Sequence, residues 1–150
     1  DTATTEIYTA SDTLSLQRRS SDLCHSEKST KRMEELGFCD VVFSADATQP
    51  VPVMKKIEEL TNGQMADICI NNVNIPDTEM TSILVTKNTG IVYFFSMATS
   101  FTKAALGAEG VGSDVTMIVG NGYTKGHAEI TLQELRECEK LRKIFTELYA

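Results

Sequence analysis

The pattern of apolar and polar positions becomes regular at Ser26, which can cap a helix predicted over 27–36. Met33 and Leu36 are the apolar positions of that helix, Lys28, Lys31, Arg32, Glu34 and Glu35 form its wet face, and Gly37 is placed to stop it. Asp40 to Ser44, short and β-branched, reads as a strand. Pro50 and Pro52 suit the opening of a second helix with the stripe Val53, Ile57 and Leu60, and Thr61-Asn62-Gly63 ends it. Ala66 to Asn72 predicts a second strand. A third helix starts at Pro76-Asp77-Thr78-Glu79, with Met80, Ile83 and Leu84 turned inward and Gly90 beyond its end. Ile91 to Phe95 is apolar at every position, as expected of a strand with both sheet faces covered. The long segment from Ser96 to Asp114 surrounds a short predicted helix over 101–106, and holds Gly107, Gly110 and Gly112. Val115 to Val119 is the fourth strand, and Gly120 to Ile130 a second glycine-rich loop. Thr131-Leu-Gln-Glu134 has the form of a capping box. Leu132, Leu135, Cys138, Leu141, Phe145 and Leu148 follow at helical spacing, predicting one long terminal helix.

This alternation of helix and strand is that of a doubly wound α/β fold, a mostly parallel sheet with helices on both faces. Residues 1–25 differ from the rest. They are rich in Ser and Thr, carry Arg18-Arg19, and contain one strand-like piece, Glu6 to Thr9. They read as an irregular tail or an incomplete first unit ahead of a domain over 26–150.

Composition narrows the function classes. With 150 residues, 41% hydrophobic and 23% charged, the chain suits one domain with a core of its own. Its longest purely apolar run, Ile91 to Phe95, is far short of the ~20 residues that span a bilayer. No segment joins a basic start, an apolar stretch and a cleavage site, so neither membrane nor signal peptide is expected, and the location expected is cytoplasmic. A net charge of −7 argues against a nucleic-acid partner. The four cysteines form no C-x-x-C pair; Cys69 and Cys138 read as core, and no disulfide framework is expected. His25 and His127 lie far apart, so no metal site is expected.

In open α/β sheets, ligands bind outside the carboxyl ends of the strands. The segments there are Asp46-Ala47-Thr48, Asn71-Asn72-Val73-Asn74, Ser96-Met97-Ala98-Thr99 and Gly120-Asn121-Gly122-Tyr123. Their small and amide residues suit either a nucleotide lying on backbone or simple turns. Gly120-Asn121-Gly122 with Gly126 is one residue too long for a dinucleotide fingerprint, and Gly107 to Gly112 has no strand immediately before it. Among Glu109, Lys103, Lys125, His127 and Glu129, the pair His127 and Glu129 is the candidate acid and base, against the commoner reading of solvated loop charges. No G-x-S-x-G elbow is present to supply a hydrolase nucleophile.

These segments resemble the medium-chain dehydrogenase/reductase superfamily, in the back half of its Rossmann-like nucleotide-binding domain. Glu59-Leu60-Thr61-Asn62-Gly63 followed by Ala66-Asp67-Ile68 is similar to that superfamily's E-L-T-x-G-x-x-x-D pattern. The stretches Asn71 to Glu79, Val92 to Gly110 and Gly120 to Glu129 resemble a branch that oxidatively deaminates a 3,5-diamino acid in bacterial lysine fermentation. The resemblance implies NAD or NADP as cofactor, a small amino-acid substrate and a homo-oligomer. It implies that Asp46 and Ala47 border the adenine, and Asn72 and Val73 the ribose. Phe95, Ser96, Met97, Gly120, Asn121 and Gly122 would offer backbone to the nicotinamide. No catalytic residue is assigned.

The family's catalytic lobe and first βα unit are not recognisable in this sequence, and the usual acidic ribose reader would fall near Cys24-His25-Ser26, where no carboxylate occurs. Arg18-Arg19 would be either a 2′-phosphate contact or tail charge. The expectation is a fragment of the cofactor domain, inactive by itself. The alternative is a stand-alone, non-catalytic nucleotide-binding or interaction module.

Overall fold

The structure, a computed structural model, describes residues 4–9, 19–120 and 124–149. In chain order the elements are β1 (Thr4–Thr9), β2 (Arg19–Cys24), α1 (Glu27–Leu36), β3 (Val41–Ser44), α2 (Pro50–Leu60) and β4 (Ala66–Asn71). Then follow α3 (Glu79–Leu84), β5 (Thr86–Phe94), α4 (Phe101–Val111), β6 (Thr116–Val119), α5 (His127–Glu137) and α6 (Glu139–Tyr149). Six strands form one sheet in the order β3-β2-β1-β4-β5-β6. β2 pairs parallel with β3, and β4 with β5 and β5 with β6 likewise, while β1 is antiparallel to both β2 and β4. All strands but β1 therefore run one way, and their carboxyl ends share one edge. The fold is the expected Rossmann-like α/β class.

Local chemistry sets the element ends. Ser26 Oγ accepts the Ser29 amide at 3.2 Å, and Gly37 closes α1 in the left-handed conformation with φ 71°. Pro50 occupies the first turn of α2, where its missing N–H costs nothing. Leu23 on β2 and Cys69 on β4 pack with Val53 and Ile57 of α2, so α2 covers one sheet face. On that same face Val92 and Phe94 of β5 pack with Ile83 of α3 and Ala104 and Ala108 of α4. The alternate residues of β2, Asp22 and Cys24, face the other way, where α1 packs against β2. Helices thus lie on both faces.

Several sequence expectations change here. β5 starts at Thr86, so Gly90 lies inside a strand, pressed against the Asp67 carbonyl and Thr86. Only one face of β5 is closed. Val92 and Phe94 are buried, but Phe95, just past the strand, is 46% exposed, and Ile68 and Ile118 on the same side are 37% and 44% exposed. The reason is coverage: among the described residues, α1 serves only β2 and β3 on that side. α4 runs through Gly107, which lets Met80 Sδ approach to 3.4 Å of where a Cβ would stand, and it stops at Gly112 instead of ending at Leu106.

The single terminal helix is two. Cys138 is extended (φ −104°, ψ 101°) and breaks it, while Thr131 sits inside α5 and bonds back to the His127 carbonyl at 2.8 Å instead of capping. No residue of α5 or α6 is fully buried, so Cys138 is not core. Lys140 Nζ donates to the Glu35 carbonyl at 2.7 Å, a cation on the C-terminal turn of α1.

The central strand position, which the resemblance leaves without its own strand, is filled by β1, with Thr5 opposite Asn71 and Thr4 opposite Cys24. An antiparallel neighbour needs no helical crossover, and no helix lies between β1 and β2 among the described residues.

Gly90 and Gly110 give opposite expectations. A Cβ at Gly90 would meet Thr86 Cγ2 at 2.6 Å and the Lys87 carbonyl oxygen at 2.8 Å, whereas Gly110 faces open space in α4. Gly90→Ala should lower the unfolding free energy by about 2 kcal/mol in urea titration. Gly110→Ala should raise it by roughly 0.5–1 kcal/mol.

Candidate functional site at the carboxyl edge

β2, β3, β4, β5 and β6 all end at one edge of the sheet. After β3, Asp46 is exposed and Ala47 buried, and Asp46 Oδ1 accepts the Thr48 amide at 2.9 Å and hydroxyl at 2.7 Å. These bonds to Thr48 hold the Asp46 carboxyl below its usual range. After β4, Asn72 is half-buried and Val73 buried; after β5, Ser96 is half-buried and Met97 is 85% exposed. Gly120 follows β6, its amide donating to the Phe94 carbonyl at 3.2 Å. Asn121 and Gly122 lie outside the described residues. The structure therefore brings Asp46, Ala47, Asn72, Val73, Phe95, Ser96, Met97 and Gly120 to one edge.

The loops are held by a polar network that the apolar pattern did not reveal. The helix α3 was expected to turn Met80, Ile83 and Leu84 inward. Only Ile83 of these is fully buried, and Glu79, Thr81 and Ser82 are buried with it. Thr81 Oγ1 donates to the Ala47 carbonyl at 2.6 Å, reaching the loop after β3. Asn71, 1% exposed, donates to Thr78 Oγ1 and Ser82 Oγ, each at 2.9 Å, and accepts the Val73 amide at 3.2 Å. Glu79 Oε1 accepts the Ser100 amide at 2.5 Å, tying down the loop after β5. The sequence signal was the hydroxyl-rich face of Thr78, Thr81 and Ser82 beside an acidic first turn.

His127 and Glu129 are both exposed in the first turn of α5, and two helical positions are separated by roughly 200° around the axis. His127 Nδ1 lies 2.7 Å from the Thr124 carbonyl. Lys103 ion-pairs with Asp77, whose hydrogen bond and charge raise the lysine above its usual range, while Glu109 and Lys125 are exposed. Arg19 opens β2, so its backbone is on the opposite edge, roughly 17 Å from the strand's carboxyl end, and Arg18 lies outside the described residues. Among the described residues no cluster of His, Cys, Asp and Glu could hold a metal, and no helix is long and apolar enough to cross a membrane. A groove of about 500 Å³ between α1 and α6, lined by Leu36, Ile144 and charged side chains, is remote from the edge, at the C-terminal end of α1.

No protein-family model matches the chain. Its sequence is 59% identical over 127 residues to L-erythro-3,5-diaminohexanoate dehydrogenase of Acetoanaerobium sticklandii, a match covering 85% of this chain and 37% of that protein. It is 61% identical over 105 residues to the enzyme of the same name from Fusobacterium nucleatum, covering 70% of this chain and 30% of that one. The resemblance is to the diaminohexanoate dehydrogenases. The chain spans about a third of the length of these curated relatives. Identity of this order over most of the chain bears out the resemblance drawn from its loop motifs.

All four cysteines are free; Cys24 and Cys69 are buried, and Cys39 and Cys138 half-buried. Burial pushes the Cys24 thiol up to about 11 and the Cys69 thiol up to about 12, from an ordinary 9.0. A folded pKa above the unfolded one gives stability that is full below pH 9 and is lost as pH rises toward 11 and 12. Urea midpoints should therefore fall above pH 9, and fall less when both cysteines are replaced by alanine. A thiol reagent should modify Cys39 and Cys138 in the folded chain, and Cys24 and Cys69 only after unfolding.

Proposed function

We propose that this chain supplies part of the nicotinamide-cofactor domain of an amino-acid dehydrogenase acting on L-erythro-3,5-diaminohexanoate. The observation that carries the reading is the 59% identity over 127 residues to an enzyme of that name. The fold supports it, because the small and amide residues of a dinucleotide edge stand together at the carboxyl ends of the parallel strands. In this reading Asp46 and Ala47 border the adenine, Asn72 and Val73 the ribose, and Phe95, Ser96, Met97 and Gly120 to Gly122 the nicotinamide. When bound, NAD or NADP would supply the acceptor for a hydride from the amine-bearing carbon, and water would hydrolyse the imine to the ketone and ammonia. The chain's own residues contribute shape and backbone hydrogen bonds to the cofactor. The setting is cytoplasmic lysine breakdown, in a homo-oligomer.

The arrangement around β1 bears on activity. In a dinucleotide fold the central strand is parallel and leads through a glycine-rich turn into a helix whose N-terminus receives the pyrophosphate. Here the centre is an antiparallel strand, and no such turn joins it to a helix among the described residues. The same feature favours a second reading, a non-catalytic nucleotide-binding or interaction module.

A chimera separates the two. The matched segment of the Acetoanaerobium sticklandii enzyme is replaced by the corresponding residues of this chain, and NAD and NADP reduction is followed with L-erythro-3,5-diaminohexanoate. The proposal expects kcat/KM within about tenfold of the parent, a barrier change of about 1.4 kcal/mol. A folded chimera with no turnover overturns it and leaves the second reading. The 150-residue chain alone is expected to show no turnover.

A further inference from the structure

We infer that Glu79 and Asn71 are positioning residues that make the loops of the carboxyl edge into a single rigid rim, so that cofactor affinity depends on two side chains hidden beneath it. The inference rests on the reading of that edge as the cofactor cleft, and deepens it. Asn71 and Glu79 are 1% and 2% exposed, so neither is available to a ligand at the surface. Each is nevertheless bonded to a backbone amide of a different loop, Asn71 Oδ1 to Val73 and Glu79 Oε1 to Ser100.

The two bonds are linked through α3. Both amide hydrogens of Asn71 are used on Thr78 and Ser82, which places Thr78 at the foot of the helix, with Glu79 next to it in the chain. Glu79 then reaches Ser100, whose own hydroxyl caps α4 by accepting the Lys103 amide at 3.3 Å. The Asn71 carbonyl also accepts the Phe95 amide at 3.0 Å, closing a circuit from the end of β4 through α3 to the loop after β5 and back. Thr81 adds the Ala47 carbonyl from the third loop. A buried carboxylate is costly unless hydrogen-bonded, so Glu79 and the Ser100 amide hold each other in place. Loosening any one contact leaves buried polar groups without partners, which is why the loops are expected to respond together.

The test uses amide hydrogen exchange on the 150-residue chain, read residue by residue by NMR, with NADH titration of the same samples. Glu79→Ala removes the acceptor; Glu79→Gln keeps a carbonyl oxygen in its place. The expected result for Glu79→Ala is exchange about tenfold faster at Ser100 and, through the circuit, also at Val73, with NADH affinity weakened about tenfold. Glu79→Gln should restore both amides and the affinity to within about threefold of the unmutated chain. Faster exchange at Ser100 with Val73 unchanged, or no rescue by Gln, overturns the inference. If Glu79→Ala does not fold, Asn71→Asp approaches from the other end, keeping the acceptor for Val73 and losing both donors. Faster exchange at Ser100 then supports the inference, and unchanged exchange there overturns it. Failure of the unmutated chain to bind NADH counts against the nucleotide-binding form of the second reading, and the exchange pattern still decides the circuit.

Discussion

The buried polar face of α3 is the contact on which the organisation of the carboxyl edge depends. A six-residue helix is too short to be stable by itself, and its place is set by packing. Ile83 anchors it against Val92 and Phe94, and that apolar contact carries Thr78, Glu79, Thr81 and Ser82 into the buried interior. Once there, each polar group must find a partner, and the partners are the carbonyls, amides and side chains of loops from three different strands. The hydrophobic effect seats the helix, and hydrogen bonding then leaves the loops little choice of position. Loops that would otherwise be the most mobile parts of an α/β domain are thereby braced from below.

The opposite side of the sheet has no such brace. Parallel strands are ordinarily covered on both faces, because strands joined by crossovers bring a helix with each connection. Here β1 enters the centre antiparallel, without a helix leading to β2 among the described residues, and α5 and α6 bury none of their residues. The apolar residues Ile68, Phe95 and Ile118 are left partly open on a sheet whose other face is closed by α2, α3 and α4. The same strand that completes the hydrogen-bonded sheet occupies the place where a dinucleotide fold would present its phosphate-binding turn.

Much of this was legible in the chain. The Ser26 cap and Gly37 stop, Pro50 at the head of α2, the strand end at Ser44 and, to within one residue, the end of β4 at Asn71 are local signals, decided within a few residues of one another. The residues of the edge were legible for a similar reason, since a strand in an α/β sheet ends where small and polar residues begin. Elements whose bounds depend on distant partners were misread. Gly90 looked like a helix stop because glycine is usually punctuation; it belongs to a strand because the Asp67 carbonyl and Thr86 leave no room for a Cβ. The spacing through Cys138 looked continuous, but a periodic stripe does not show where the backbone turns between two short helices.

The sequence by itself determined the alternation of helix and strand, the α/β class, the residues that gather at the carboxyl edge, and a similarity to dehydrogenases strong enough to read from loop motifs. Each follows from local propensity or residue identity, which act over short stretches of chain. Tertiary structure decided the direction of β1, the exposed half of the sheet, and the burial of Asn71 and Glu79. Those outcomes depend on which distant groups meet, because a polar side chain becomes a brace only when packing removes its water and brings another loop within hydrogen-bond reach.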